Sequence, residues 1–208
     1  MRSSFSVAIR TRNRADRLEQ VLASLHMATP PSHFEWEVLV VLNDCTDTSA
    51  EVVRSFTDRL PVTATVEKQH GHSHARNRAA KLCHGDFIIF IDDDVRVDPL
   101  FLVAYENAFR KWPNIDVFSG PIVPVFEGGP PVWLERVLPA VRSAFAQQTV
   151  EHDEAAIDPA AVPYGANYAI RRSVQNQRLY NPELGRGASQ RTIQTMWGYV
   201  WEHVHSSE

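Results

Sequence analysis

Residues Phe87 to Ile91 form an unbroken apolar run that meets three consecutive carboxylates, Asp92, Asp93 and Asp94. A short, continuous apolar run of this kind suits a strand buried on both faces, as in a parallel sheet covered by helices. The carboxylates then fall just past the C-terminal end of the strand, where open α/β sheets place their ligands. Three adjacent acids repel one another, so a positive partner is expected there. Oxygen-only ligands favour Mg²⁺ or Mn²⁺. Asp98-Pro99 reads as an N-cap followed by proline at the first helical position, which makes the connection to the next helix short.

Three arrangements end an apolar strand in this way. One is a solvated acidic turn. A second is the nucleophile loop of a haloacid-dehalogenase-type phosphohydrolase, Asp-x-Asp followed by Val or Thr, which Asp92, Asp94 and Val95 fit. The third is the Asp-x-Asp metal and nucleotide-sugar site of a GT-A-type glycosyltransferase. The remainder of the chain has to choose between them.

Phe5 to Ile9 reads as a first strand, followed by a helix capped by Asn13 and carrying one apolar face of Leu18, Val21, Leu22 and Leu25. Trp36 to Leu42 is a second strand, ending in the polar turn Asn43 to Asp47. Thr48 with Glu51 has capping-box spacing for a second helix, whose apolar face is Val52, Val53, Phe56 and Leu60. Val62 to Val66 is a third strand, partly exposed. A loop, Gln69 to Ser73, and a helix from about Ala75 to Cys83 lead to the central strand. Strand alternating with helix predicts an α/β fold, a mostly parallel sheet flanked by helices on both faces.

Beyond Lys111 the texture changes. Prolines at 113, 121, 124, 130, 131, 139, 159 and 163 and the Gly128-Gly129 pair break up the clean periodicity. The expected organisation is a single domain over residues 1–208, with a nucleotide-binding half to about 111 and an acceptor-side half from about 112. The second half is expected to hold irregular strands, a helix near Trp133 to Phe145, and an acidic loop from Glu151 to Asp158.

A chain of 208 residues suffices for one sizeable core. Its net charge of -4 supplies no basic excess for nucleic-acid backbones. Local clusters (Arg10, Arg12 and Arg14; Arg76 and Arg78; Arg171 and Arg172) can still hold a small phosphorylated ligand. The first residues show no signal-peptide pattern, and no apolar run approaches the roughly 18 residues of a membrane span. Cys45 and Cys83 have no metal-ligand spacing and suit a reducing cytoplasm. His70, His72 and His74 alternate on what reads as a loop, without an evident fourth ligand, and are expected to face solvent.

Polar residues from several strand ends converge in this reading: Arg10 to Arg14, Asn43 with Asp44, and Asp92 to Asp94. A nucleotide would lie across them. Gly71 to Asn77 leads into a helix carrying Arg76, whose planar fork suits a phosphate or the acidic cluster.

Taken together these segments resemble a family 2 glycosyltransferase of the GT-A fold. The resemblance rests on Thr11-Arg12-Asn13-Arg14, the Asn43-Asp44-Cys45-Thr46-Asp47 turn, Gly71 with Ala75-Arg76-Asn77, and Gly85-Asp86 leading to Asp92-Asp93-Asp94. It continues through Tyr164 to Arg172 and Leu184-Gly185-Arg186-Gly187, so that it spans Phe5 to about Gly187. It implies a donor such as a UDP-sugar, a divalent cation (Mn²⁺ or Mg²⁺), and transfer with inversion to a hydroxyl of a saccharide, lipid-linked or other acceptor. Thr11, Asn13, Asn43, Asp44, Asp93 and Arg76 are the expected nucleotide contacts. Asp92 would meet the ribose and, with Asp94, the metal. Gly165, Ala166 and Asn167 would line the donor sugar and the acceptor side. A cytoplasmic location follows, at the inner membrane face where an acceptor is lipid-linked. The phosphohydrolase reading falls behind because its acidic strand comes too late in the chain and its second acidic pair has no candidate.

The same resemblance implies an acidic pair after Leu184 to Gly187 that supplies the general base. Gln190 to Tyr199 contains no carboxylate, and Glu202 is the nearest acid beyond it. Glu202 is therefore the candidate base, and a chain that binds donor but turns over poorly is the alternative expectation.

Overall fold

The computed structural model describes residues 3–126, 128–148 and 163–183. Four parallel strands, β1 (Ser4–Thr11), β2 (Glu35–Asn43), β3 (Val62–Glu67) and β4 (Phe87–Asp92), alternate with α1 (Ala15–Met27), α2 (Ser49–Phe56) and α3 (His72–Leu82). Next come α4 (Phe101–Lys111), β5 (Val117–Ser119), α5 (Val132–Val137), β6 (Asn167–Arg171) and α6 (Arg172–Gln177). The sheet order is β3-β2-β1-β4-β6-β5, with β6 antiparallel to both of its neighbours.

The apolar run of β4 is buried throughout, as a central strand demands. Alternate residues feed two cores. Phe5, Val7, Ile9, Phe87, Ile89 and Ile91 pack with α1, α2 and α4 on one face; Ala8, Ile88, Phe90 and Tyr168 meet the alanines of α3 on the other. All four residues expected on the apolar face of α1 are buried. Gly85 lets the chain enter β4 against β1: a Cβ there would stand 2.5 Å from the Phe5 backbone.

Several local expectations are corrected. Asn13 does not cap α1. It adopts a left-handed conformation with φ 52°, and its Oδ1 accepts the Thr46 N–H at 2.7 Å. The first turn of α1 is capped instead from the β2–α2 turn, where Asp47 Oδ2 accepts the Ala15 N–H at 2.9 Å. Asp47 Oδ1 also accepts from the Ser49 N–H and hydroxyl, so the Thr48–Glu51 capping box does not form. Asp98 and Pro99 lie in a turn ahead of α4, whose N-cap is Leu100. The helix α3 starts three residues before the expected point and takes His72 and His74 into its first turn. The helix expected over residues 133–145 is divided into α5 and two 3₁₀ turns, Leu138–Ala140 and Arg142–Phe145. The acidic loop from Glu151 to Asp158 lies outside the described residues.

Among the described residues, no helix is long and apolar enough to cross a membrane.

Candidate donor-binding site

Strand order reverses at β1: β2 and β3 lie to one side of it, β4 to the other. The crevice at the C-terminal ends of β1 and β4 is thus the switch point where open α/β sheets bind ligands. Register sets Arg10 of β1 directly beside Asp92 of β4. Their side chains pair, with Arg10 Nη2 donating to Asp92 Oδ1 at 2.9 Å.

The acidic triplet divides by direction. Asp93 turns inward, its side chain 7% exposed, and accepts from Thr11 Oγ1 at 2.7 Å and from Arg14 Nη1 at 3.2 Å. Burial pushes its carboxyl pKa up, against the bond from Thr11 and the charge of Arg14. Asp94 turns outward, its side chain 53% exposed, and meets Arg14 at 3.2 Å. Asp92, one quarter exposed, lies between these extremes.

The second strand's end divides in the same way. Asn43 is buried, and its amide group is committed to the loop ahead of α3: Nδ2 donates to the carbonyls of Glu67 and Gln69, and Oδ1 accepts the Gly71 N–H at 3.0 Å. Asp44 has φ 54° and an exposed carboxylate, which Arg12 meets at 3.1 Å. Of the four β1-end and β2-end candidates, Asn13 and Asp44 face outward, whereas Thr11 and Asn43 are built into the scaffold.

Arg76 projects from α3 into the same crevice. Its guanidinium lies 5.9 Å from the ring centre of Tyr168 and 5.5 Å from that of Tyr180, whose hydroxyls are hydrogen-bonded to each other. Among the described residues it forms no salt bridge, and its guanidinium is only partly exposed. Gly165 closes over it: a Cβ on Gly165 would overlap Arg76 Nη2. Ala166 follows in the same turn. Asn167, the first residue of β6, accepts from the Tyr105 hydroxyl at 2.7 Å and donates to the Pro121 carbonyl at 2.9 Å, which ties β6 to α4 and to the segment after β5. Glu202 lies outside the described residues.

Sequence placed Arg10 in the basic cluster at the strand ends but gave no sign of its pairing with Asp92, nor of the aromatic cradle of Tyr168 and Tyr180. Both depend on register and on the insertion of β6, which no local pattern carries. His72 Nε2 lies 3.3 Å from Arg10 Nη1. Among the described residues no three His, Cys, Asp or Glu side chains converge to hold a metal ion by themselves. Mg²⁺ and Mn²⁺ typically take one or two carboxylates with the remaining ligands from phosphate and water. The outward Asp94 and partly exposed Asp92 fit that smaller requirement.

This geometry agrees with what the chain is similar to. The model for "Glycosyl transferase family 2" matches residues 6–174, and the chain belongs to that family. It is 34% identical over 99 residues to validoxylamine A glucosyltransferase of Streptomyces hygroscopicus subsp. jinggangensis, an alignment covering 47% of this chain and 23% of that protein. Among solved structures, S. aureus TarS 1-349 in complex with UDP superposes with a TM-score of 0.72 at 20% identity, over 95% of this chain and 55% of that one. The mannosyltransferase PcManGT from Pyrobaculum calidifontis, in complex with GDP-Man and Mn²⁺, gives a TM-score of 0.60 at 21% identity, over 94% and 52% of the two chains. These structural likenesses establish the GT-A fold. The chain spans about a quarter of the length of that curated relative and just over half of the solved chains.

Proposed function

We propose that this chain forms the donor site of an inverting glycosyltransferase, binding a UDP-sugar with a divalent cation and directing the sugar to an acceptor hydroxyl. The observation that carries the reading is the charge arrangement at the β1–β4 switch point. Four guanidinium groups (Arg10, Arg12, Arg14 and Arg76) face four carboxylates (Asp44, Asp92, Asp93 and Asp94), three of the arginines already paired. A site so balanced gains a net negative charge from a diphosphate alone. A divalent cation restores the balance, so nucleotide and cation are expected to bind together.

In this reading Asp44 and Asn13 face the base, while Asn43 secures the loop ahead of α3 and Thr11 secures Asp93. Asp92 meets the ribose, and Asp94 and Asp92 hold the cation, with Asp93 bracing Arg14 behind them. Bound there, Mn²⁺ or Mg²⁺ supplies charge stabilisation to the departing nucleoside diphosphate. Arg76 adds a fixed cation from the other side, in a setting where aromatic rings exclude water. The backbone at Gly165 and Ala166, with little side chain in the way, leaves room for the donor sugar. Glu202 is the proposed base that takes the proton of the acceptor hydroxyl. The acceptor is a saccharide, a lipid-linked or another hydroxyl, met in the cytoplasm or at the inner membrane face.

A second reading, a nucleotide-sugar-binding module without transfer, is favoured by one observation: Gln190 to Tyr199 holds no carboxylate. Two measurements separate these readings. Thermal shifts with UDP, GDP and dTDP, each with Mn²⁺ or EDTA, should show cation-dependent stabilisation by UDP, and stabilisation by none of them would sink the donor site. A radiolabelled-donor assay should then show transfer that Glu202→Gln eliminates; binding without transfer selects the module.

A further inference from the structure

Arg10 occupies an unusual place in the crevice. It is the penultimate residue of β1, where its neighbours Ile9 and Thr11 are both buried. Its guanidinium is about three-quarters enclosed, with Nη2 on Asp92 Oδ1 at 2.9 Å and Nη1 3.3 Å from His72 Nε2. Its Nε is buried and has no hydrogen-bond partner. Burial disfavours its charge, Asp92 supports it and Arg76 opposes it. A small cavity of about 10 Å³ lies among Arg10, Arg76, Asp92, Phe90 and Gly165, near the lower limit for a single water.

Two guanidinium groups and one carboxylate thus line one small space. That carboxylate has a second use. If Asp92 is to meet a ribose or a cation, its pairing with Arg10 has to loosen, and a freed, half-buried arginine needs another anion at once. The only ligand of the proposed site that brings one is the diphosphate.

We propose that Arg10 is a further donor-binding residue and the internal counter-ion of Asp92. In the free protein it neutralises Asp92 and keeps a lone cation from settling there. When a nucleoside diphosphate arrives, Arg10 shifts its pairing to a phosphate oxygen, across from Arg76, and releases Asp92. The inference rests on the donor-site reading above and adds an order to it: the cation binds well only with the nucleotide.

Calorimetry of UDP with Mn²⁺, and paramagnetic-resonance titration of Mn²⁺ alone, test this on wild type, Arg10→Gln and Arg10→Lys. For R10Q, affinity for UDP with Mn²⁺ should fall by about ten-fold or more, the usual scale for a charged hydrogen bond. Uridine, which has no phosphate, should bind wild type and R10Q alike by NMR line broadening. Mn²⁺ alone should bind R10Q several-fold more tightly than wild type, because Asp92 has lost its counter-ion. R10K, which keeps the charge, should recover part of the UDP affinity. A merely structural role for Arg10 would weaken uridine and UDP equally, and that result overturns the inference. Equal UDP affinity in wild type and R10Q overturns it too, while leaving the donor site in place. Failure of wild type to bind any nucleoside diphosphate overturns both.

Discussion

Gly165 and Arg76 touch without a side chain between them: the turn before β6 runs so close to the guanidinium that a Cβ at position 165 would overlap Nη2. The space exists only because residue 165 is glycine. The obstructing atom is the end of a flexible side chain, so an added methyl group would move Arg76 and leave the fold intact.

Gly165→Ala is therefore expected to separate stability from binding. Its φ is not in the left-handed region, so alanine should leave stability unchanged or raise it by about 0.4–1 kcal/mol through the unfolded chain. UDP affinity should fall by roughly ten-fold as Arg76 is pushed off its aromatic seat. Urea unfolding and calorimetry on one sample suffice. Unchanged UDP affinity would remove Arg76 from the donor site.

The inward turn of Asp93 and the outward turn of Asp94 predict opposite outcomes for the same substitution. Asp94→Asn should abolish the difference between UDP binding in Mn²⁺ and in EDTA. Asp93→Asn should keep that difference, since its carboxylate serves Thr11 and Arg14. Calorimetry of both variants in the two buffers checks this, and a loss of metal dependence in D93N with none in D94N would reverse the assignment.

What the sequence disclosed and what it concealed follow from distance along the chain. The run from Phe87 to Ile91 announced a central strand, and the acids after it had to emerge at a strand end. Leu18, Val21, Leu22 and Leu25 announced one helix face for the same reason: periodicity is local. The direction of β6 is not. Nothing within Asn167–Arg171 distinguishes a parallel from an antiparallel strand, and its place between β4 and β5 is decided by those partners. The pairing of Arg10 with Asp92 needs the register of two strands 82 residues apart. The error at Asn13 has the same cause: it had the right residue type, but Asp47 reaches across 32 residues to the Ala15 N–H and takes its role. At Thr48 the competition is local, since Asp47, the residue just before it, accepts from the Ser49 N–H and hydroxyl.

That cap gives a stability test. Asp47→Ala should cost about 1 kcal/mol, within the usual 0.5–2 kcal/mol for a lost N-cap, and should loosen both α1 and α2. Thr48→Ala should stay within about 0.5 kcal/mol, because no side-chain cap bond is formed by Thr48. Urea midpoints for the two variants decide the matter. Equal losses would restore the capping box that the Thr48–Glu51 spacing suggested.

Glu106 provides the clearest pH dependence. It is buried on α4, and its carboxylate accepts the backbone N–H groups of Ser32, His33 and Phe34 at 3.1, 2.5 and 2.9 Å, closing the loop that leads into β2. Burial alone would raise its pKa; the bonds from His33, Ser32 and Phe34 outweigh that and hold it below the ordinary carboxylate value. A depressed folded-state pKa means that the stabilisation is fully present above the unfolded value near 4.5 and is lost as pH falls through the folded one. Glu106→Gln turns an amide donor toward a backbone donor and should cost about 2 kcal/mol at pH 7. The gap between wild type and E106Q should narrow as pH is lowered from 5 toward 3, because the wild-type carboxylate is then protonated too. Urea unfolding at several pH values measures the gap directly. A gap that stays constant over that range would mean the charge on Glu106 contributes nothing and the loop is held by packing alone.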